Sequence, residues 1–253
     1  MWVSGLHAPA RSLYSATVGR QAALERKKMK DFYGSVLQPG ALVFDIGANV
    51  GVLSAVFASL GAKVVALEPN ADCVRHIQLS YADKQIEVIQ AAVGAKNGLT
   101  VLNVSDRIDV RSSVSDDWMK TMGGQDESYR GIWTRKTFVP IVTLDSLIEL
   151  FGMPQFIKID VEGYEEKVLS GLSEQPPLLS FEFTAAFLAP AMRCLDMQVL
   201  RENSTFNLSY NLDWGYPARL ESDTWMEKRE LKKVLMSVEG TDRQGDIFVK
   251  APR

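Results

Sequence analysis

Apolar residues recur along this chain in short blocks, and the spacing of those blocks keeps switching. "ALVFDI" (41–46) is a continuous apolar run of strand length. "GVLSAVFASLG" (51–61) is small and apolar, which predicts a helix closed by Gly61. "KVVALE" (63–68) reads as a second strand and "NADCVRHIQLSYADK" (70–84) as a helix capped by Asn70 or Asp72. "IEVIQAAV" (86–93) predicts a third strand. After a break the rhythm returns: helix "TLDSLIELFG" (143–152) with Thr143 as cap, strand "QFIKID" (155–160), helix "EEKVLSGL" (165–172) and strand "PLLSFEF" (177–183). A helix near 187–202, a strand "TFNLSYNL" (205–212), an amphipathic helix "TWMEKRELKKVLM" (224–236) and a closing strand "GDIFVK" (245–250) complete the pattern. Strands alternating with helices at this spacing predict right-handed βαβ units and an α/β fold, a parallel sheet covered on both faces.

Two stretches stand outside that rhythm. Residues 21–36, "QAALERKKMKDFYGSV", predict a helix whose Lys and Arg form a solvated face. The turn "QPG" (38–40) separates it from the first strand, so 1–37 reads as an N-terminal helical extension and 38–253 as the main domain. Near 97–140 the main domain carries an insertion: "LTVLNV" and "KTFVPIV" are strand-like, with a polar stretch between them that suggests a hairpin or lid. The insertion holds Arg107, Arg111, Trp118, Tyr129, Arg130, Trp133, Arg135 and Lys136. That mixture could bind a sugar or anionic acceptor; the alternative is an ordinary solvated insertion whose aromatics pack on the sheet. "NLDWGYP" (211–217) is a second candidate acceptor wall.

Bulk properties narrow the partners. The 253 residues are 46% hydrophobic, enough for a sizeable core, and the net charge of −3 gives no overall field for nucleic acid or an anionic membrane. Cys73 and Cys194 make no disulfide framework, which points to a reducing, cytoplasmic setting. Neither a signal peptide nor an apolar run near the roughly 20 residues of a membrane span is expected. Oligomeric state is not legible.

The candidate chemistry begins at the first turn, "DIGANVG" (45–51). In an open parallel sheet, ligands bind beyond the carboxyl ends of the strands where strand order reverses. Gly47 would let the backbone approach a ligand, and Gly51 would let the next helix pack on the sheet. The spacing is G-x-x-x-G rather than the G-x-G-x-x-G of dinucleotide sites, and Asp45 would repel a pyrophosphate. A cationic nucleoside such as S-adenosylmethionine fits the sign of the site. Glu68, at the end of the second strand, can accept hydrogen bonds from both hydroxyls of a ribose. The alternative is that Asp45 and Glu68 only cap neighbouring helices.

With "VFDIGANVGVLSAVFASLGAKVVALEPN", "VTLDSLIELFGMPQFIKIDVEGYEEKVLSGL" and "LLSFEF", the chain resembles the class I S-adenosylmethionine-dependent methyltransferases, and within them the FkbM family. The resemblance runs from about Gln38 to Phe183 and returns at "GDIFVK". It implies the Rossmann-like class I fold, a mostly parallel seven-stranded sheet whose last strand inserts antiparallel, and methyl transfer, commonly to a hydroxyl oxygen. It also implies that Asp45, Gly47, Asn49 and Gly51 line the methionine end of the cofactor and that Glu68 holds the ribose. Where many relatives carry an acid after the third strand, this chain has "QAAV", so Gln90 and the Ala92 backbone N–H are the candidates near adenine.

For the transfer itself, Asp160 and Glu162 in "IKIDVEG" and Glu182 in "SFEF" are the candidate catalytic acids, since carboxyls among apolar residues have raised pKa values unless paired. Lys158 is a candidate neutralising partner. Three carboxylates could also hold Mg²⁺, but no metal is expected, because sequence spacing does not fix coordination geometry. His7 and His76 are poorly placed for catalysis. The expected partner is a small-molecule or glycan hydroxyl. Nucleic acid is disfavoured, and the competing readings are N-methylation of RNA or protein, a non-catalytic binding module, and a dinucleotide oxidoreductase.

Overall fold

A computed structural model describes residues 22–105, 114–115, 133–211 and 219–252. A helix over 22–34 (α1) comes first. Then follow β1 (Leu42–Ile46), α2 (Val52–Ser59), β2 (Lys63–Leu67), α3 (Ala71–Ser80), β3 (Ile86–Ile89) and β4 (Ala92–Val93). A hairpin, β5 (Gly98–Ser105) and β6 (Trp133–Val142), leads to α4 (Leu144–Phe151), β7 (Phe156–Ile159), α5 (Glu165–Leu169) and β8 (Leu178–Thr184). The chain ends with α6 (Ala189–Leu195), β9 (Thr205–Tyr210), α7 (Lys228–Ser237) and β10 (Gln244–Lys250).

Seven strands form the main sheet in the order β3-β2-β1-β7-β8-β10-β9. β1 is parallel to both β2 and β7, while β10 runs antiparallel between β8 and β9. The predicted α/β class and the antiparallel insertion of the last strand are both present. Strand order turns back on itself between β1 and β7, so the crevice for a ligand opens at the carboxyl ends of these two strands.

The two faces of the sheet bury different cores. One gathers Phe44, Ile46, Leu67, Ile157, Ile159, Phe181 and Ile247 beneath α4, α5, α6 and α7. The other gathers Val43, Val64, Phe57, Phe156 and Phe248 together with Met29, Phe32 and Tyr33 of α1. This helix is therefore seated in the core of the sheet. Its ring of Tyr33 meets Phe57 edge-on at 4.8 Å, and Phe156 stacks on Phe248 at 6.2 Å.

The clearest departures from the sequence expectation are two. The strand expected over 86–93 is split: β3 stays in the main sheet, and β4 pairs with Ile141 and Val142 of β6 in a separate three-stranded sheet. A tight reversal in which the Ala91 N–H donates to the Ile89 carbonyl redirects the chain between them. The helix expected near 187–202 is confined to Ala189–Leu195. Beyond it the backbone is held by Gln175, whose Oε1 accepts from the Arg201 N–H and the Ser204 hydroxyl. Of the insertion, the arms form the antiparallel pair β5–β6, with Arg135 and Lys136 exposed. Arg107, Arg111, Trp118, Tyr129 and Arg130, the segment 212–217 of the second candidate wall, and His7 lie outside the described residues. No described helix is long and apolar enough to cross a membrane.

Candidate active site

Asp45 is the next-to-last residue of β1, in register with Ala66 of β2 and Lys158 of β7, and is buried at the strand switch. Its Oδ2 accepts from the Ser54 hydroxyl at 2.5 Å, tying the strand tip to the first turn of α2. Burial raises its carboxyl to about 6, against the opposing pull of Ser54 and Lys158. Glu68 follows β2, also buried. One of its oxygens accepts from the Asn49 N–H and the other from the Asn70 N–H, each at 2.8 Å. Desolvation lifts its carboxyl to about 7, and the two backbone N–H groups hold it down in part. Asp45 thus holds a side-chain hydroxyl of α2 and Glu68 holds two backbone N–H groups, and each carboxylate retains further acceptor capacity.

The glycine-rich turn between them is set by contact with protein. Gly47 has φ +83, and its N–H and that of Ala48 both donate to the Leu67 carbonyl. Gly51, also left-handed, packs on α3: a Cβ there would stand 2.8 Å from Ile77 Cγ1. Asn49 has φ 49 and is exposed. Asn70 is the cap of α3, accepting from the Asp72 N–H. Thus Asp45, Gly47, Asn49, Gly51 and Glu68 are gathered around one turn. Ala92 lies apart from it in β4, buried and paired with Ile141, and Gln90 is exposed. His76 sits on the exposed side of α3 with its Nε2 3.3 Å from the Ser80 hydroxyl.

On the β7 side of the switch, Asp160 donates its backbone N–H to the Ile46 carbonyl at 2.9 Å. Glu162, with φ 56, turns the chain after it. Glu182 near the end of β8 completes a group: carboxylate oxygens of Asp160, Glu162 and Glu182 all lie within 4.8 Å of one another. The three acids named from sequence are brought together.

Beneath them runs a buried charged row. Lys158 Nζ lies 3.2 Å from Asp160 Oδ2 and 2.8 Å from Asp246 Oδ1. Desolvation alone would lower the lysine, but the two carboxylates outweigh it and hold the ammonium above its ordinary range. Desolvation raises Asp246, opposed by Lys158. Asp246 faces Glu182 across the β8–β10 ladder, and the fully buried Tyr33 of α1 feels this same group of charges. Sequence reasoning gave Lys158 only a neutralising role and passed over Asp246 and Glu165. A lone acid inside "GDIFVK" was the visible signal for Asp246. Glu165 is buried at the start of α5, where its Oε1 accepts from the Val161 and Gly163 N–H groups.

The sequence description of the methyltransferase FkbM domain matches residues 45–190. Among curated proteins none matches significantly. Solved structures similar to the chain include the plantazolicin methyltransferase BpumL in complex with SAH, at 10% identity and TM-score 0.44, covering 97% of this chain and 91% of that one. Others are an rRNA methylase from Streptococcus thermophilus (11%, TM-score 0.43, 88% and 94% covered) and a precorrin-6Y C5,15-methyltransferase from Geobacter metallireducens (12%, TM-score 0.42, 91% and 88% covered). Likenesses this distant carry no argument about the acceptor. The domain match begins at the acid of the glycine-rich turn, takes in the three clustered carboxylates and covers more than half of the chain, so the protein belongs to the FkbM family of S-adenosylmethionine-dependent methyltransferases.

Proposed function

We propose that the protein methylates a hydroxyl oxygen on a small molecule or sugar. The observation that carries this reading is the meeting of Asp160, Glu162 and Glu182 beside the strand switch. An alcohol gives up its proton as it becomes an ether, so a base within about 3 Å of that hydroxyl is needed. Any of the three carboxylates could take the proton, and Asp160, fixed by Lys158, is the first choice.

The donor set fits the cofactor. Asp45 and Glu68 are buried carboxylates around a tight turn and complement a cationic nucleoside rather than a phosphate. Asp45, Gly47, Asn49 and Gly51 would line the methionine end, Glu68 would accept from the ribose hydroxyls, and the Ala92 region would lie toward adenine. S-adenosylmethionine supplies a methyl group already activated on its sulfonium. The chain's own tasks are then to align the acceptor, exclude water and receive one proton. No metal is assigned a role.

The chemical domain is taken as 38–253, with 1–37 as an extension whose described helix seats in the core, and with the insertion near 97–140. Buried, unpaired Cys73 and Cys194 fit a cytoplasmic protein. The test is turnover of labelled S-adenosylmethionine with a panel of hydroxylated metabolites and sugars, with NMR of the product. An O–CH₃ resonance is expected. Methylation at nitrogen, or of RNA or protein alone, would overturn the proposal.

A further inference from the structure

A buried cation and a buried acid stand side by side at the strand switch without pairing. Lys158 of β7 and Asp45 of β1 are register partners on adjacent parallel strands. Their side chains share the face of the sheet that carries Val43, Phe156 and Phe248. An ammonium and a carboxylate so placed away from water attract each other strongly. Yet the Asp45 carboxylate holds the Ser54 hydroxyl, and among the described residues Lys158 forms its ion pairs with Asp160 and Asp246 instead.

The positions of those two partners show what draws the lysine away. Asp246 lies on β10, beyond β8, and Lys158 is in register with Ser180 of β8. The lysine side chain therefore crosses β8 to reach Asp246. Its Nζ stands 2.8 Å from Asp246 Oδ1 and 3.2 Å from Asp160 Oδ2. The Asp246 side chain is 2% exposed and that of Asp160 33% exposed. Water screens the attraction to Asp160 more than the attraction to Asp246, so the inner acid is the anchor. A lysine stem is flexible, and its charge settles where the partner is placed.

That placement matters for a donor whose charge is carried on sulfur. An ammonium against Asp45 would neutralise the acid and set a positive charge where a sulfonium must come. With the ammonium over β8, Asp45 keeps its charge for the donor. Burial raises the Asp45 carboxyl and Lys158 opposes the rise, so the two residues feel each other across the strands even though they do not pair.

We propose that Asp246 is a positioning residue: it holds the Lys158 ammonium over β8, on the side of Asp160, and thereby leaves the charge of Asp45 to favour the positively charged donor over its neutral product. This rests on the reading that the methionine end of S-adenosylmethionine lies against Asp45.

The test measures affinities of the full chain for S-adenosylmethionine and S-adenosylhomocysteine by calorimetry at about pH 8, where Asp45 is ionised. The two ligands differ by one methyl group and the sulfonium charge. Damage to packing weakens both, whereas a change of charge beside the sulfur alters their ratio. Asp246→Asn loosens the anchor and removes the charge that offsets the ammonium. It should lower the preference for the donor over the product about fivefold or more relative to the parent. Adding Lys158→Met to that variant removes the cation and should return the preference to the parent value or above it. An unchanged preference in Asp246→Asn, or a double variant that keeps the lowered one, would overturn the proposal. Should Asp246→Asn fail to fold, the double variant decides on the same criterion: a preference below the parent's sinks the proposal, and one at or above it upholds the role of the ammonium. Asp45→Asn separates this inference from the reading beneath it. That variant should lose preference for the donor. If it does not, Asp45 is no part of the donor site and both fall; if it does while Asp246→Asn matches the parent, only the role of Asp246 falls.

Discussion

Gly47 lies directly against the backbone of Asp160: a Cβ on the glycine would stand 1.8 Å from the aspartate's carbonyl oxygen. The turn named from sequence for cofactor approach is thus also the seat of the strand tip that carries the candidate base. On the proposed function, the cofactor side and the acceptor side would meet at this backbone contact between β1 and β7.

Replacing Gly47 with Ala should for this reason do two kinds of damage. The φ of +83 strains any L side chain, and the new methyl collides with backbone that cannot rotate away. A loss of about 3 kcal/mol or more is expected, together with weakened S-adenosylhomocysteine binding. Gly40→Ala is the control, since it has a similar φ of +79 but nothing within 4 Å. It should cost only about 1 kcal/mol. Thermal unfolding of the two variants checks the difference, and equal losses would dismiss the contact with Asp160 as the cause.

That contact shows what the sequence could and could not disclose. Alternation of apolar runs revealed the βαβ order, because a strand buried on both faces must be apolar throughout. Asp45 and Glu68 were visible as acids at strand ends. Asp160, Glu162 and Glu182 could be suspected for the same reason, but only the pairing of β7 with β8 shows that they meet. The Lys158–Asp246 pair joins residues of β7 and β10, which are not neighbours in the sheet, so no local pattern could announce it. Likewise the break at Gln90 was hidden, since "IEVIQAAV" is as apolar as a single strand would be. What splits it is a tertiary pairing with β6.

Stability and donor affinity should respond to pH in opposite directions. Asp45 rises from 3.8 to about 6 on folding, and Glu68 and Glu165 rise from 4.5 to about 7, all chiefly through burial. The folded chain therefore binds more protons than the unfolded one between about pH 4 and pH 7, and its stability falls as pH rises through that window. The ligand-free protein should melt at a lower temperature at about pH 8 than at about pH 5. If ionised Asp45 and Glu68 hold the donor, its affinity should climb over the same range, and binding at about pH 6.5 should release protons. Calorimetry in buffers of different ionisation enthalpy reads the proton count. Donor binding that takes up protons, or that ignores pH, would remove these two acids from the cofactor site.

Lys158 is expected to matter for folding as much as for chemistry. Removing one partner of a buried ionic group leaves the others uncompensated, which costs about 3–5 kcal/mol. Lys158→Met would leave Asp160 and Asp246 with no ammonium between them. Its instability should be greatest above neutral pH and shrink as the medium becomes acid enough to protonate Asp246, which burial already disposes to hold a proton. A second change, Asp246→Asn, should recover part of the loss. If urea unfolding gives the same stability for Lys158→Met and the parent protein, the buried row is not an ionic one.

The three clustered acids can serve as a proton acceptor or as ligands for a divalent cation, and the two roles separate cleanly. Oxygen donors within 4.8 Å of one another are compatible with Mg²⁺. Against a metal, the buried Lys158 ammonium already stands 3.2 Å from Asp160 and supplies a positive charge there. Turnover should therefore survive dialysis against EDTA and gain nothing from added Mg²⁺. Asp160→Asn should leave donor affinity within about threefold while cutting turnover about 100-fold, the scale of a lost general base. The loss should narrow as pH rises, because a more ionised acceptor needs less help in shedding its proton. Activity that disappears with EDTA and returns with Mg²⁺ would give the cluster to a cation. Full turnover by Asp160→Asn would pass the base role to Glu162 or Glu182.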